Sequence, residues 1–111
     1  MAAVNPPVKN VAYILYVQLQ SFATPGTFQS NPTLAAGDAT LIIDGVASTL
    51  GAAGSDKLIT LPAVTPAGSH WVKISLSASE MNGDNIGVQL IDQTATKEWC
   101  DMAICIQTTA A

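Results

Sequence analysis

The ionisable and nucleophilic side chains of this chain form no recognisable catalytic arrangement. The one histidine, His70, stands before Trp71 without a Ser-His-Asp or Gly-x-Ser-x-Gly context. A glycosidase needs two carboxylates flanking one bond. Most of the eight acidic residues instead stand beside glycine or in predicted turns, where aspartate serves local hydrogen bonding. We therefore predict that the protein is not an enzyme and has no catalytic residue.

The spacing of possible ligands supports no metal or cofactor site either. Asp84 and Asp92 could face a calcium ion, but no EF-hand spacing accompanies them. The glycine-rich stretch 51–54 lacks the Lys-Ser or Lys-Thr of a phosphate-binding loop. We predict no metal and no cofactor. Trp71 or Trp99 could form a carbohydrate platform, although packing at the margin of the core is the more common use of tryptophan.

Cys100 and Cys105 lie in one predicted strand at an odd separation, which places them on opposite faces. A strand rise of about 3.3 Å per residue would put them about 16 Å apart. A disulfide needs Cα atoms within about 7 Å. We predict buried, reduced thiols that do not bridge each other, since free cysteine packs as a small hydrophobe.

Charged residues are scarce in this chain. They make up 11% of it, against roughly 25% in average globular proteins. The four lysines form no basic stripe and there is no arginine, so we expect no nucleic-acid binding and no membrane association. A surface with so little charge is poorly protected against association. We expect partners to cover much of it; the alternative is a free domain with a Ser/Thr-rich coat.

The elements that carry these residues are short strands separated by turns. The β-branched, aromatic and alternating segments predict strands at 10–20, 38–44, 46–50, 58–61, 70–76, 85–92 and 98–108. Asp44-Gly45 predicts a tight hairpin turn. The capping-box pattern from Ser77 to Glu80 predicts one short helical turn over 78–82. About seven strands and one helical turn are typical of an all-β, immunoglobulin-like sandwich.

The alternation within these strands also predicts which side chains form the core. Trp71, Lys73 and Ser75 should share the outer face of their strand. Cys100 and Met102 should point inward with the isoleucines of the last strand. The expected core residues are Ile14 or Leu15, Leu41 or Ile43, Val72, Ile74, Leu76, Ile86, Val88, Leu90, Ile104 and Ile106.

A Pro-containing arm over 1–9 precedes a single domain over 10–111. The arm lacks the basic and apolar regions of a signal peptide, so we expect synthesis in a cytoplasm. Its prolines favour an extended conformation that is either frayed or laid on a neighbouring subunit. Because the arm has few apolar side chains, we expect that deleting residues 2–8 leaves the melting temperature of the isolated domain nearly unchanged. In the long connection 21–37, two phenylalanines should anchor the loop on the core. The candidate partner-binding residues of arm and loop are Val4, Pro6, Pro7, Val8, Phe22 and Phe28.

Three segments of the chain resemble small structural proteins of tailed bacteriophages. They read FQSNPTLAAGD over 28–38, VKISLSASEMN over 72–82, and EWCD over 98–101 with ICIQTT over 104–109. The resemblance covers roughly residues 10–109 and implies a virion component with an immunoglobulin-like fold. It carries over no functional residues.

The resemblance implies that the protein is located in the virion after synthesis in the host cytoplasm. We expect a capsid decoration or cement protein that stabilises the head lattice. A tail, neck or fibre-adaptor protein of the same fold is the first alternative, and a carbohydrate-binding module is the second. The expected partners are the major capsid protein or tail proteins, with the chain itself a homo-oligomer or lattice-bound.

Overall fold

The computed structural model describes residues 6–35, 37–47 and 62–110, and within them the chain is all-β with no helix. The strands are β1 Tyr13–Gln18, β2 Ala39–Ile43, β3 Val46–Ala47, β4 Ala63–Val64, β5 Trp71–Leu76, β6 Asn85–Leu90 and β7 Met102–Gln107. The predicted all-β class is therefore confirmed. Residues 48–50 of the predicted return strand and the predicted strand 58–61 lie outside the described residues.

The strands form two antiparallel sheets, one of three strands in the order β1-β5-β4 and one of four in the order β3-β2-β6-β7. Apolar side chains from both sheets belong to one core cluster, which includes Val17 and Ile74 from the first sheet and Leu41 and Val88 from the second. Two sheets that share one apolar layer are consistent with a β-sandwich.

The predicted core is largely confirmed, and the structure settles its two open choices. Leu15 packs against the core while Ile14 is exposed, and Leu41 is fully buried while Ile43 is only partly so. The six predicted side chains of β5 and β6 are all buried, as is Ile106, and Ile104 is partly buried. The predicted core omitted three fully buried apolar side chains that lie outside the strands: Leu19, Met81 and Trp99.

The Ser77–Glu80 capping box forms, but the helical turn it was expected to start does not become a helix. Ser77 N–H donates to Glu80 Oε1 (2.9 Å) and Glu80 N–H donates to Ser77 Oγ (3.3 Å). Met81 N–H then closes one turn on the Ser77 carbonyl at 3.0 Å. The chain enters β6 four residues later, which leaves no room for the further bonds that would propagate a helix.

The predicted hairpin turn after β2 is present, whereas the strand β4 was not predicted. Asp44 and Gly45 both have positive φ, 50° and 82°, as the predicted hairpin between β2 and β3 requires. Strand β4, which pairs with β5, lies in a segment predicted as a turn. It is two residues long and therefore too short to show any alternation.

The last strand is shorter than predicted, which changes the placement of the cysteines. It begins at Met102, so Cys100 precedes it and donates its N–H to the Gln20 carbonyl at 2.8 Å. Both thiols are free, as predicted. The expected burial is wrong for Cys105, which is exposed, and Cys100 is only half-buried. Cys105 is exposed because it alternates with Ile104 and Ile106, which face the core.

Candidate interaction surface

The outer face of the three-stranded sheet carries three large exposed apolar side chains. Ile14 and Tyr16 on β1 and Trp71 on β5 are 53%, 51% and 45% exposed. We call these three residues the aromatic face. Monomeric proteins rarely leave large contiguous apolar patches uncovered, and such patches mark sites of interaction.

Tyr16 and Trp71 form an ordered pair within this face. In the β1–β5 register Tyr16 lies opposite Lys73 and Trp71 opposite Gln18, so the two rings are diagonal neighbours. Their centroids are 6.5 Å apart with an interplanar angle of 89°, the edge-to-face geometry that aromatic pairs favour. Together with Thr65 and Pro66 they line an open cleft of about 370 Å³.

The strand sequences explain why the aromatic face points away from the core. Strand β5 alternates strictly, with Val72, Ile74 and Leu76 buried, and this placement of Trp71 and Lys73 on the outer face was predicted. Strand β1 is apolar on both faces, and Leu15 and Val17 are the side that packs inward. The sequence signal for this face was that β1 is apolar on both of its faces. β5 is the only described neighbour of β1, and one of those apolar faces is left exposed.

The described part of the predicted arm contacts its own domain. Val8 forms a parallel bridge with Thr109; Lys9 N–H donates to the Thr109 carbonyl and Thr109 N–H to the Pro7 carbonyl, both at 2.9 Å. Pro6 is exposed, and Val4 lies outside the described residues. Residues 7–9 therefore differ from the expectation of an arm that meets only neighbouring subunits.

The predicted anchoring of the loop 21–37 by its phenylalanines is wrong. Phe22 and Phe28 are 52% and 56% exposed. The loop is held instead by backbone bonds, with Phe22 N–H donating to the Glu98 carbonyl and Ser21 N–H to the Thr27 carbonyl. These bonds fix the loop without burying either ring, so both rings remain available to a partner.

The arm and the phenylalanines do not form one surface. Val8 and Lys9 precede β1 and pair beyond the end of β7. Phe22 and Phe28 follow β1, where Phe22 bonds to Glu98 and Phe28 forms a bridge with Gln20. The six residues of β1 separate the two groups, a length of about 20 Å at about 3.3 Å per residue. The described candidate residues therefore form two patches at opposite ends of the strands.

Two described aspartates accept hydrogen bonds from backbone N–H groups of turns and loops. Asp38 accepts the N–H groups of Ala35 and Gln93, and Asp44 accepts those of Asp84 and Asn85. Only the Ala35–Asp38 bond is local, as was expected of aspartates in turns. The other three bonds join segments that are 40 or more residues apart in the chain. Among residues 6–35, 37–47 and 62–110, no group of three or more His, Cys, Asp or Glu side chains could hold a metal ion.

Asp92 shows the same role in a buried setting. It is 4% exposed and accepts the N–H groups of Thr94 and Glu98 and the Thr94 hydroxyl. Burial raises the pKa of the Asp92 carboxyl, but the bonds from Glu98 and Thr94 and the charge of Lys97 outweigh burial and hold that pKa below its ordinary value of 3.8. The charged Asp92 carboxylate therefore stabilises the β6–β7 loop through these hydrogen bonds.

No helix in the described part of the chain is long and apolar enough to cross a membrane. No protein-family model, curated protein or solved structure matches the chain. Conclusions about function therefore depend on the surface and topology of the molecule itself.

Proposed function

We propose that this protein is a non-catalytic structural subunit with an immunoglobulin-like fold that assembles into the virion of a tailed bacteriophage, as a capsid decoration or cement protein. The observation that carries an assembly role is the aromatic face, an apolar surface on a domain with very little charge. Such a surface favours a covered environment over free solution.

The strand order supports the immunoglobulin-like part of the proposal. Taking β1 as strand B, the order β1-β5-β4 corresponds to B-E-D, and β3-β2-β6-β7 corresponds to C′-C-F-G. The parallel bridge between Val8 and Thr109 adds a short first strand beside the last one. The usual B–F disulfide and strand-C tryptophan of antibody domains have no counterpart here, so the comparison depends on topology alone.

The segments that resemble phage proteins have structural roles in this fold. Thr33 N–H donates to Glu98 Oε1 (2.6 Å) and Trp99 Nε1 to the Thr33 carbonyl (3.2 Å), so the segments 28–38 and 98–101 contact each other. The segment 72–82 contains β5 and the capping box. The resemblance therefore involves residues that stabilise the fold. It supports a shared fold, and it does not distinguish a position on the head from one on the tail.

Two alternatives keep specific support. A tail, neck or fibre-adaptor protein would use the same apolar face and the same fold. A carbohydrate-binding module would use Tyr16 and Trp71, whose exposed rings border a cleft with Thr65 and Pro66. Trp99 is fully buried and cannot be a carbohydrate platform.

Binding to particles tests the proposal. Purified protein should co-sediment with phage heads that lack it, and not with tails. Tyr16→Ser and Trp71→Ser should each weaken this binding at least about tenfold, because aromatic side chains are typical interface anchors. Val46→Ser is the matched control, since Val46 is 69% exposed on the other sheet. Binding to tails alone would favour the first alternative, and glycan binding lost in Trp71→Ser would favour the second.

A further inference from the structure

Within the described part of the chain, strand β7 is a sheet edge that lacks the usual protection against pairing. It has β6 as its only strand neighbour among the described residues. Its sequence, MAICIQ, has no charged residue and no proline. Natural proteins usually protect edge strands with lysine, proline or bulges because exposed backbone groups recruit other strands.

The hydrogen-bond pattern shows which backbone groups face outward. Thr108 N–H donates to the Asp84 carbonyl, which makes this a hydrogen-bonded pair in the β6–β7 register. Such pairs alternate along antiparallel strands, so Met102, Ile104 and Ile106 bond to β6. The N–H and C=O groups of Ala103, Cys105 and Gln107 therefore point away from the sheet.

The described residues of the arm pair only with the end of this edge. It bonds to Thr109, the next outward-facing residue after Gln107. Continuing the same parallel ladder would require Pro7 to donate an N–H to the Gln107 carbonyl, and proline has no N–H. The described residues of the arm therefore lie at the end of this edge and do not pair with residues 103–107.

We propose that β7 pairs antiparallel with β7 of a second copy of this chain, about a two-fold axis at Cys105. This inference stands independently of the virion proposal. The outward-facing residues then pair as Ala103 with Gln107 of the partner subunit, and Cys105 with Cys105 of the partner subunit. The two four-stranded sheets become one continuous sheet of isologous symmetry.

The side chains are complementary to their own symmetry copies in this register. Ile104 lies opposite the partner's Ile106 on the core face, an apolar β-branched pair that extends the core layer. The outer face brings together alanine, cysteine and glutamine, all exposed and none charged, so no like charges oppose each other. A second copy therefore fits the edge without a clash of charge.

The two-fold axis gives the pairing a chemical readout. Directly opposed residues in a hydrogen-bonded pair have Cα atoms about 5.5 Å apart, within the range of about 4.4–6.8 Å that a disulfide allows. Diamide, which takes up two electrons and two protons from two thiols, should therefore link Cys105 of both subunits. Cys100→Ser should form this covalent dimer like the wild type, and Cys105→Ser should not.

Sedimentation of the reduced full chain tests the pairing without the disulfide. The wild type should show a concentration-dependent dimer. Ala103→Lys should weaken dimerisation at least about tenfold, since a charge on the edge strand opposes pairing. Gln89→Lys is the matched control, because Gln89 pairs with Ala103, is also exposed, and lies on the inner strand β6. Gln107→Pro, which removes an outward N–H and leaves the β6 bonds intact, should act like Ala103→Lys.

Three results would each overturn this assignment. One is a wild-type chain that stays monomeric at its highest soluble concentration. Another is a diamide-linked dimer that persists in Cys105→Ser. The third is equal weakening by Ala103→Lys and Gln89→Lys with unchanged melting temperatures.

Discussion

At the residue scale, Asp38 and Asp92 stabilise turns through their carboxylate oxygens. Asp38 connects the segments before β2 and after β6, since it accepts N–H groups from Ala35 and Gln93. Asp92 accepts three hydrogen bonds within one loop. Burial raises the pKa of the Asp92 carboxyl, but the hydrogen bonds that it accepts favour its charged form and hold that pKa below its ordinary value.

Asp92→Asn should destabilise the fold by about 1–3 kcal/mol at neutral pH, because buried N–H donors lose their charged acceptor. The folded-state pKa of Asp92 lies below 3.8, so the unfolded chain takes up the proton first as the pH falls. The contribution of Asp92 is therefore complete above about pH 5 and is lost as the pH falls through the folded-state pKa. Urea unfolding across this pH range measures it.

The control for Asp92→Asn is Asp101→Asn, which removes a more exposed carboxylate paired with Lys97 at 2.6 Å. Exposed ion pairs contribute about 0–1 kcal/mol, so this variant should keep the acid sensitivity of the wild type. An Asp92→Asn protein whose stability falls with acid as steeply as that of the wild type would contradict the assigned role.

At the element scale, the two long strands of the first sheet obey different patterns. β5 alternates strictly between buried and more exposed side chains, whereas β1 is apolar on both faces. The alternation of β5 specifies its register, because a slip of one residue would exchange its two faces. The face of β1 is decided by its pairing with β5, which sets Leu15 opposite Ile74.

Ile74→Ala should lower the free energy of unfolding by about 2–5 kcal/mol, as for other fully buried large-to-small substitutions. Ile14→Ala is the control on the neighbouring strand, where the side chain is 53% exposed. It should change stability by no more than about 0.5 kcal/mol. Thermal and urea unfolding of both variants would measure the difference, and equal losses would mean that the assigned strand faces are wrong.

At the scale of the whole molecule, residues 7–9 of the arm meet Thr109 just beyond the last strand. Two backbone hydrogen bonds join Pro7 and Lys9 to Thr109, and Asn10 N–H donates to the Met81 carbonyl at 3.0 Å. The start of the chain is therefore connected both to its end and to the turn before β6. This connection makes the arm part of the domain's cooperative unit.

Deleting residues 2–8 removes the carbonyls of Pro7 and Val8, which accept the N–H groups of Thr109 and Val11. Losing these two bonds should destabilise the isolated domain by about 1–3 kcal/mol, at about 0.5–1.5 kcal/mol for each bond. The sequence alone had favoured almost no effect, because the arm has few apolar side chains. Calorimetry of the free domain measures the loss. A deletion of residues 2–5 is the control that retains the Thr109 bonds; equal losses in both variants would place the stabilisation elsewhere.

The sequence by itself determined the features that depend on near neighbours. The alternation of β5 and β6, the Asp44-Gly45 turn and the Ser77–Glu80 capping box were all predicted and are present. Each involves side chains or backbone groups only a few residues apart, so the local chemistry is sufficient.

Only the tertiary structure decided which apolar side chains are covered. Trp99 is buried and Trp71 is exposed, Leu15 packs inward and Ile14 outward, and neither described phenylalanine reaches the core. Composition and spacing treat the members of each pair alike. The members of a pair differ in whether their side chain faces the second sheet or the outside of the molecule. That difference depends on contacts between residues far apart in the chain.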